Sequence, residues 1–120
     1  MGKHELYKHS VISVGMMPRL LALRGAILQS SGFIVFTTMR LDEAVSAMKG
    51  RHFDVMLLCY SVGSEWREEM IQRFREYCPG GRIVAITDRP VTDPANDVDE
   101  IVYGIEGPDA LMHAIRRQAA

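Results

Sequence analysis

In Val11-Ile12-Ser13-Val14-Gly15-Met16-Met17-Pro18, a short run of largely β-branched residues meets a turn, then a proline suited to the first turn of a helix. The run is too short for a typical helix and reads as a strand buried on both faces. Four further runs recur along the chain: Phe33-Ile34-Val35-Phe36, Val55-Met56-Leu57-Leu58, Ile83-Val84-Ala85-Ile86 and Ile101-Val102-Tyr103. Helical periodicity fills the intervals. Leu20, Leu23 and Ile27 share one face, with Gly32 just past the end; Leu41, Ala44, Val45 and Met48 form a second stripe closed by Gly50. Ser64 is suited to cap a third helix with Trp66, Met70, Phe74 and Tyr77 inward, ending before Pro79-Gly80-Gly81. A last helix opens at Gly107-Pro108 and buries Leu111, Ala114 and Ile115.

This alternation predicts an α/β fold with right-handed crossovers and a parallel sheet covered on both faces. Five strands suit the doubly wound order 2-1-3-4-5, whose crevice lies at the carboxyl ends of strands one and three. One link breaks the rhythm. Residues 88–99, with two prolines and four aspartates (Asp88, Asp93, Asp97 and Asp99), leave room for one helical turn at most, so the fourth helix is expected to be short or missing.

The 120 residues suit a single domain over 1–120, with a polar tail over 1–9. Hydrophobic residues make up 48% and charged residues 24%, a globular balance, and the formal net charge of -1 leaves no footprint for nucleic acid or an anionic membrane. Arg116-Arg117 suits the negative end of a helix dipole. No apolar run is long enough to span a bilayer. The polar opening lacks a secretory stretch, and Leu6 stands where a myristoylation signal needs Ser or Thr. Cys59 and Cys78 are too few for a disulfide framework, so the expected compartment is the cytoplasm.

Order and spacing together resemble the receiver domain of bacterial two-component response regulators, from about Ser10 to Arg117. The resemblance is carried by the first strand and turn quoted above, and by Ser31-Gly32-Phe33-Ile34-Val35 before the second strand. It continues through Leu41-Asp42-Glu43-Ala44-Val45, Phe53-Asp54-Val55-Met56-Leu57-Leu58-Cys59, Ile83-Val84-Ala85-Ile86-Thr87 and Gly107-Pro108-Asp109-Ala110-Leu111. It implies a flavodoxin-like, receiver-like sheet. It also implies chemistry resting on an acidic pair after the first strand, an aspartate after the third, a hydroxyl after the fourth and a lysine after the fifth. The acids would hold Mg²⁺ and the aspartate would take the phosphoryl group.

Here Gly15 and Met16 fall at the acidic positions, Cys59 at the phosphoacceptor position and Gly104 at the lysine position; Thr87 alone remains. A glycine and a thioether offer Mg²⁺ no carboxylate, and nothing local is expected to offset phosphoryl charge. The resemblance also implies an aromatic switch residue on the fifth strand, where Ile101 sits nearest and Tyr103 is offset by two. The implied function is a silent receiver acting by protein–protein contact with an unidentified signalling protein. It is expected to be no enzyme and to bind no cofactor, metal, nucleic acid or membrane; homodimerisation stays open. Met17, Tyr60, Val62 and Trp66, with Ile101 and Tyr103, are the candidate partner contacts.

The rival reading is a thiol-dependent enzyme or redox sensor centred on Cys59, and a third is small-ligand binding in the neutral crevice. Against a phosphatase-type loop, Glu65 stands where an arginine is needed, so Cys59 reads better as a small buried hydrophobe filling the vacated pocket. His4, His9, His52 and His113 lack metal-ligand spacing, and Asp54, at the start of the third strand, is expected to cap a turn. The acidic link lacks EF-hand spacing and reads as a solvated loop. Met48, Met56 and Met70 fit core stripes, leaving Met16, Met17 and Met39 for a docking surface. No Gly-x-Gly-x-x-Gly or Walker pattern follows the first strand.

Overall fold

The apolar runs settle as five parallel strands: β1 (Ser10–Val14), β2 (Ile34–Thr38), β3 (Val55–Cys59), β4 (Arg82–Thr87) and β5 (Glu100–Tyr103). They pair in the order β2-β1-β3-β4-β5. The computed structural model describes residues 9–89 and 97–120. Among the described residues four α-helices alternate with the strands: α1 (Pro18–Ser30), α2 (Leu41–Gly50), α3 (Ser64–Tyr77) and α4 (Pro108–Ala119); a 3₁₀ turn covers Gly104–Glu106. The expected gap in the helical rhythm between β4 and β5 falls on residues 90–96 and lies outside the described residues.

Side-chain alternation divides the core between the two faces of the sheet. Ile12, Val14, Met56, Leu58 and Ile83 pack under α2 and α3 with Met48, Met70 and Phe74. Val11, Val55, Leu57, Val84 and Ile86 pack against Leu28 of α1 and Leu111, Ala114 and Ile115 of α4. Among the described strands β3 is buried throughout, while β2, at one edge, exposes Ile34 and half-exposes Val35 and Phe36.

Two helices turn differently from expectation. In α1 the buried stripe is Leu21, Gly25 and Leu28, while Leu23 is exposed. At about 100° per residue Leu23 lies on the opposite side of the helix from that stripe, with Leu20 and Ile27 on its flank. Gly25 is needed there because a Cβ would come 3.0 Å from Thr37 Cγ2, so α1 packs closely on β2. In α3 the stripe centres between Met70 and Ile71, which leaves Trp66 about 90° to one side and exposed. Ser64 begins α3 rather than capping it; Gly63 is the cap residue and no side chain closes it.

The strand starts are tied by acids. Asp54 accepts the Ser10 backbone N–H at 2.8 Å and so links β1 to β3 rather than capping a turn. Asp99 accepts the Ile83 N–H at 2.7 Å and pairs with Arg75 at 3.1 Å, while Asp97 pairs with Arg67 at 3.0 Å. This end of the acidic link is therefore anchored on α3 and β4, not a freely solvated loop; Asp93 lies outside the described residues.

Candidate functional site

β1, β3 and β4 bring Gly15, Cys59 and Thr87 to one mouth, and the 3₁₀ turn after β5 adds Gly104. Gly15 and Cys59 are packed together: a Cβ on Gly15 would stand 3.0 Å from Cys59 Cβ and 3.7 Å from its Sγ. The Gly15 N–H donates to the Thr38 carbonyl at 3.3 Å, and the Met16 N–H donates to Ser61 Oγ at 2.8 Å. The first loop is thus held down on β2 and on the loop after β3.

Cys59 is 5% exposed and its thiol is free. Its sulfur accepts a hydrogen bond from Arg24 Nη1 at 3.1 Å. Sequence reasoning missed this cation and expected a neutral crevice; the structure corrects that expectation. Arg24 stands four residues after Leu20 and three before Ile27, on the flank of the α1 stripe, and its stem carries the guanidinium over the edge of the sheet to β3. That spacing was the available signal. Beside it, Arg24, Leu20, Ile27, Tyr103 and Leu111 line a small cavity of about 120 Å³ between α1 and α4.

The Thr87 hydroxyl is engaged by the loop after β4: Oγ1 donates to the Arg89 carbonyl at 3.2 Å and accepts the Arg89 N–H at 3.3 Å. Gly104 is exposed, and a Cβ there would make only ordinary contact, 3.5 Å from the Thr87 carbonyl oxygen. At this mouth Gly15, Met16 and Cys59 present a glycine, a thioether and a thiol, a donor set that does not fit Mg²⁺. Among the described residues, no group of three or more His, Cys, Asp or Glu side chains could hold a metal.

The candidate contacts separate. Met17, Tyr60 and Trp66 are exposed, Ile101 and Tyr103 are half-buried on the edge strand β5, and Val62 is buried at 3%. Val62 packs into the core under α3 and offers no contact surface, because the turn after β3 folds it inward through its N–H to the Cys59 carbonyl at 3.1 Å. Ile105, in the 3₁₀ turn, was missed although it is 86% exposed; it stands alone between Gly104 and Gly107, outside any periodic run. Burial pushes the Cys78 thiol up from its ordinary pKa, consistent with a structural sulfur that accepts the Phe53 N–H at 3.5 Å.

Strand order, helix placement and the position of the mouth together define the CheY-like response-regulator receiver fold. A scan of protein-family models finds no match to this chain, and a search of curated proteins finds none either. Solved structures do match. A response regulator receiver domain protein (CheY-like) from Methanospirillum hungatei JF-1 superposes with a TM-score of 0.82 at 14% identity, covering 94% of each chain. Chemotaxis protein CheY4 of Vibrio cholerae gives a TM-score of 0.82 at 16% identity, over 92% of this chain and 98% of that one. A Thermotoga maritima structure of histidine kinase ThkA in complex with response regulator TrrA gives 0.78 at 17% identity, over 93% and 99%. At these identities the likeness establishes the fold. Among the described residues no helix is long and apolar enough to cross a membrane.

Proposed function

We propose that this chain is a receiver-like signalling domain that takes no phosphoryl group and acts by binding another protein. The observation that carries this reading is the contact between Gly15 and Cys59. Where the chemistry needs carboxylates converging on a metal, a glycine is packed against Cys59, so closely that even a Cβ would stand 3.0 Å from the Cys59 Cβ. Arg24 supplies a positive charge at the mouth, yet one cation without a metal or a carboxylate nucleophile does not assemble phosphoryl transfer. The kinase–regulator complex supports a signalling protein as the class of partner. Met17, Tyr60 and Trp66, exposed around the mouth, are the proposed contacts, with Ile101 and Tyr103 at the β5 edge.

The test is incubation of the purified chain with Mg²⁺ and acetyl phosphate, followed by intact-mass measurement. The expected mass is unchanged. A phosphorylated species whose formation requires Thr87 or Cys59 overturns the proposal.

The Arg24–Cys59 hydrogen bond favours a second reading, a reactive thiol at the mouth. Alkylation rate against pH separates the two: fast modification of the folded chain through Cys59 supports a thiol function, whereas protection until unfolding supports a buried filler.

A further inference from the structure

We propose that the groove between α2 and α3 is the seat of a second copy of this chain, placed by a twofold axis running across the groove. The pairing rests on the reading of the chain as a contact module and names the partner of one of its faces. At one end of the groove Met16, Met39 and Trp66 are 47%, 41% and 54% exposed. Leu41, Val45 and Tyr77 continue the apolar lining toward the other end, in a groove of about 650 Å³. A large indole and two thioethers held in water at a concave face form an adaptable docking surface.

The charges on the groove identify the occupant. Asp42 lies in the first turn of α2 and Lys49 in its last, seven residues apart, which puts both on one side of the helix and about 10 Å apart along it. Opposite them on α3, Glu69 precedes Arg73, to which it is paired at 2.8 Å. Both lips therefore run from acid near the Trp66 end to base near the Tyr77 end. A partner of one charge sign would meet an opposing charge and a matching one. In a reversed copy of the same groove Asp42, which Arg40 of its own chain also holds at 3.1 Å, faces Lys49 of the second copy, and Lys49 faces its Asp42. Lys49 has no carboxylate partner in its own chain among the described residues, lying instead over the Tyr77 ring at 5.4 Å. The formal net charge of -1 leaves little repulsion between copies.

Sedimentation velocity on the full chain across a wide concentration range tests the pairing. The expected result is a reversible shift from monomer to dimer, abolished by Trp66→Ala. Asp42→Lys and Lys49→Asp should each remain monomeric alone, with native circular dichroism. Mixed one to one, they should form a heterodimer, because the basic groove of one then faces the acidic groove of the other. A monomer at every concentration overturns the pairing, as does a dimer insensitive to Trp66→Ala or a mixture that fails to associate. The same samples, weighed after acetyl phosphate treatment, judge the silent-receiver reading separately, since a phosphoryl gain would sink that reading whatever the oligomeric state.

Discussion

Gly15 and Gly104 stand at two corners of the same mouth, and their surroundings differ. A side chain at Gly15 has to push against Cys59, which is itself fixed on the central strand β3. A side chain at Gly104 meets open space and ordinary contacts. Gly15→Ala is therefore expected to cost about 1–3 kcal/mol through overpacking, whereas Gly104→Ala should stay within about 0.5 kcal/mol. Urea denaturation of both variants checks this; equal midpoints would mean that Cys59 gives way freely. The glycine and the cysteine could each be named from the sequence as departures from the receiver pattern. Their mutual contact could not, because it depends on the register of β1 against β3.

At the scale of elements, the last turn of α4 is tied to β5 by one carboxylate. Glu100 accepts hydrogen bonds from Arg117 and, at 2.9 Å, from Gln118 Nε2. The Arg117 hydrogen bond, reinforced by that of Gln118, holds the Glu100 carboxyl below the usual carboxylate range. A lowered folded pKa contributes stability that is fully present above the unfolded value, about 4.3 for glutamate, and is lost as pH falls through the folded value. Glu100→Gln should thus lower stability at neutral pH and reduce the loss of stability below about pH 4.3. Thermal melts across the acid range measure it; an unchanged acid limb would remove Glu100 from the account. Periodicity located all four described helices, yet misjudged the facing of two. Leu23 and Trp66 fit an apolar pattern on paper, but the sheet selected Leu21–Gly25–Leu28 and Met70–Ile71–Phe74 instead. An apolar residue beside a stripe looks the same in sequence as one within it, and only the docking angle of the helix separates them.

For the whole molecule, the fold is that of a receiver while the polar groups at its mouth are sulfur, backbone, the Ser61 hydroxyl and one guanidinium. A ligand that binds only the folded chain raises its melting temperature. Mg²⁺ at millimolar concentration should therefore leave the melting temperature where a matched concentration of monovalent salt leaves it. A rise specific to Mg²⁺ would show that carboxylates gather at the mouth after all.

Strand–helix alternation, the sheet order and the identities of Gly15, Met16 and Cys59 were legible in the chain itself. They depend on residue identity and on spacing between near neighbours, which sequence carries directly. The guanidinium on Cys59, the inward turn of Val62, the anchoring of Asp97 and Asp99 and the groove between α2 and α3 were decided by tertiary structure. Each joins residues from separate elements, and such contacts exist only once the helices have settled at particular angles on a twisted sheet.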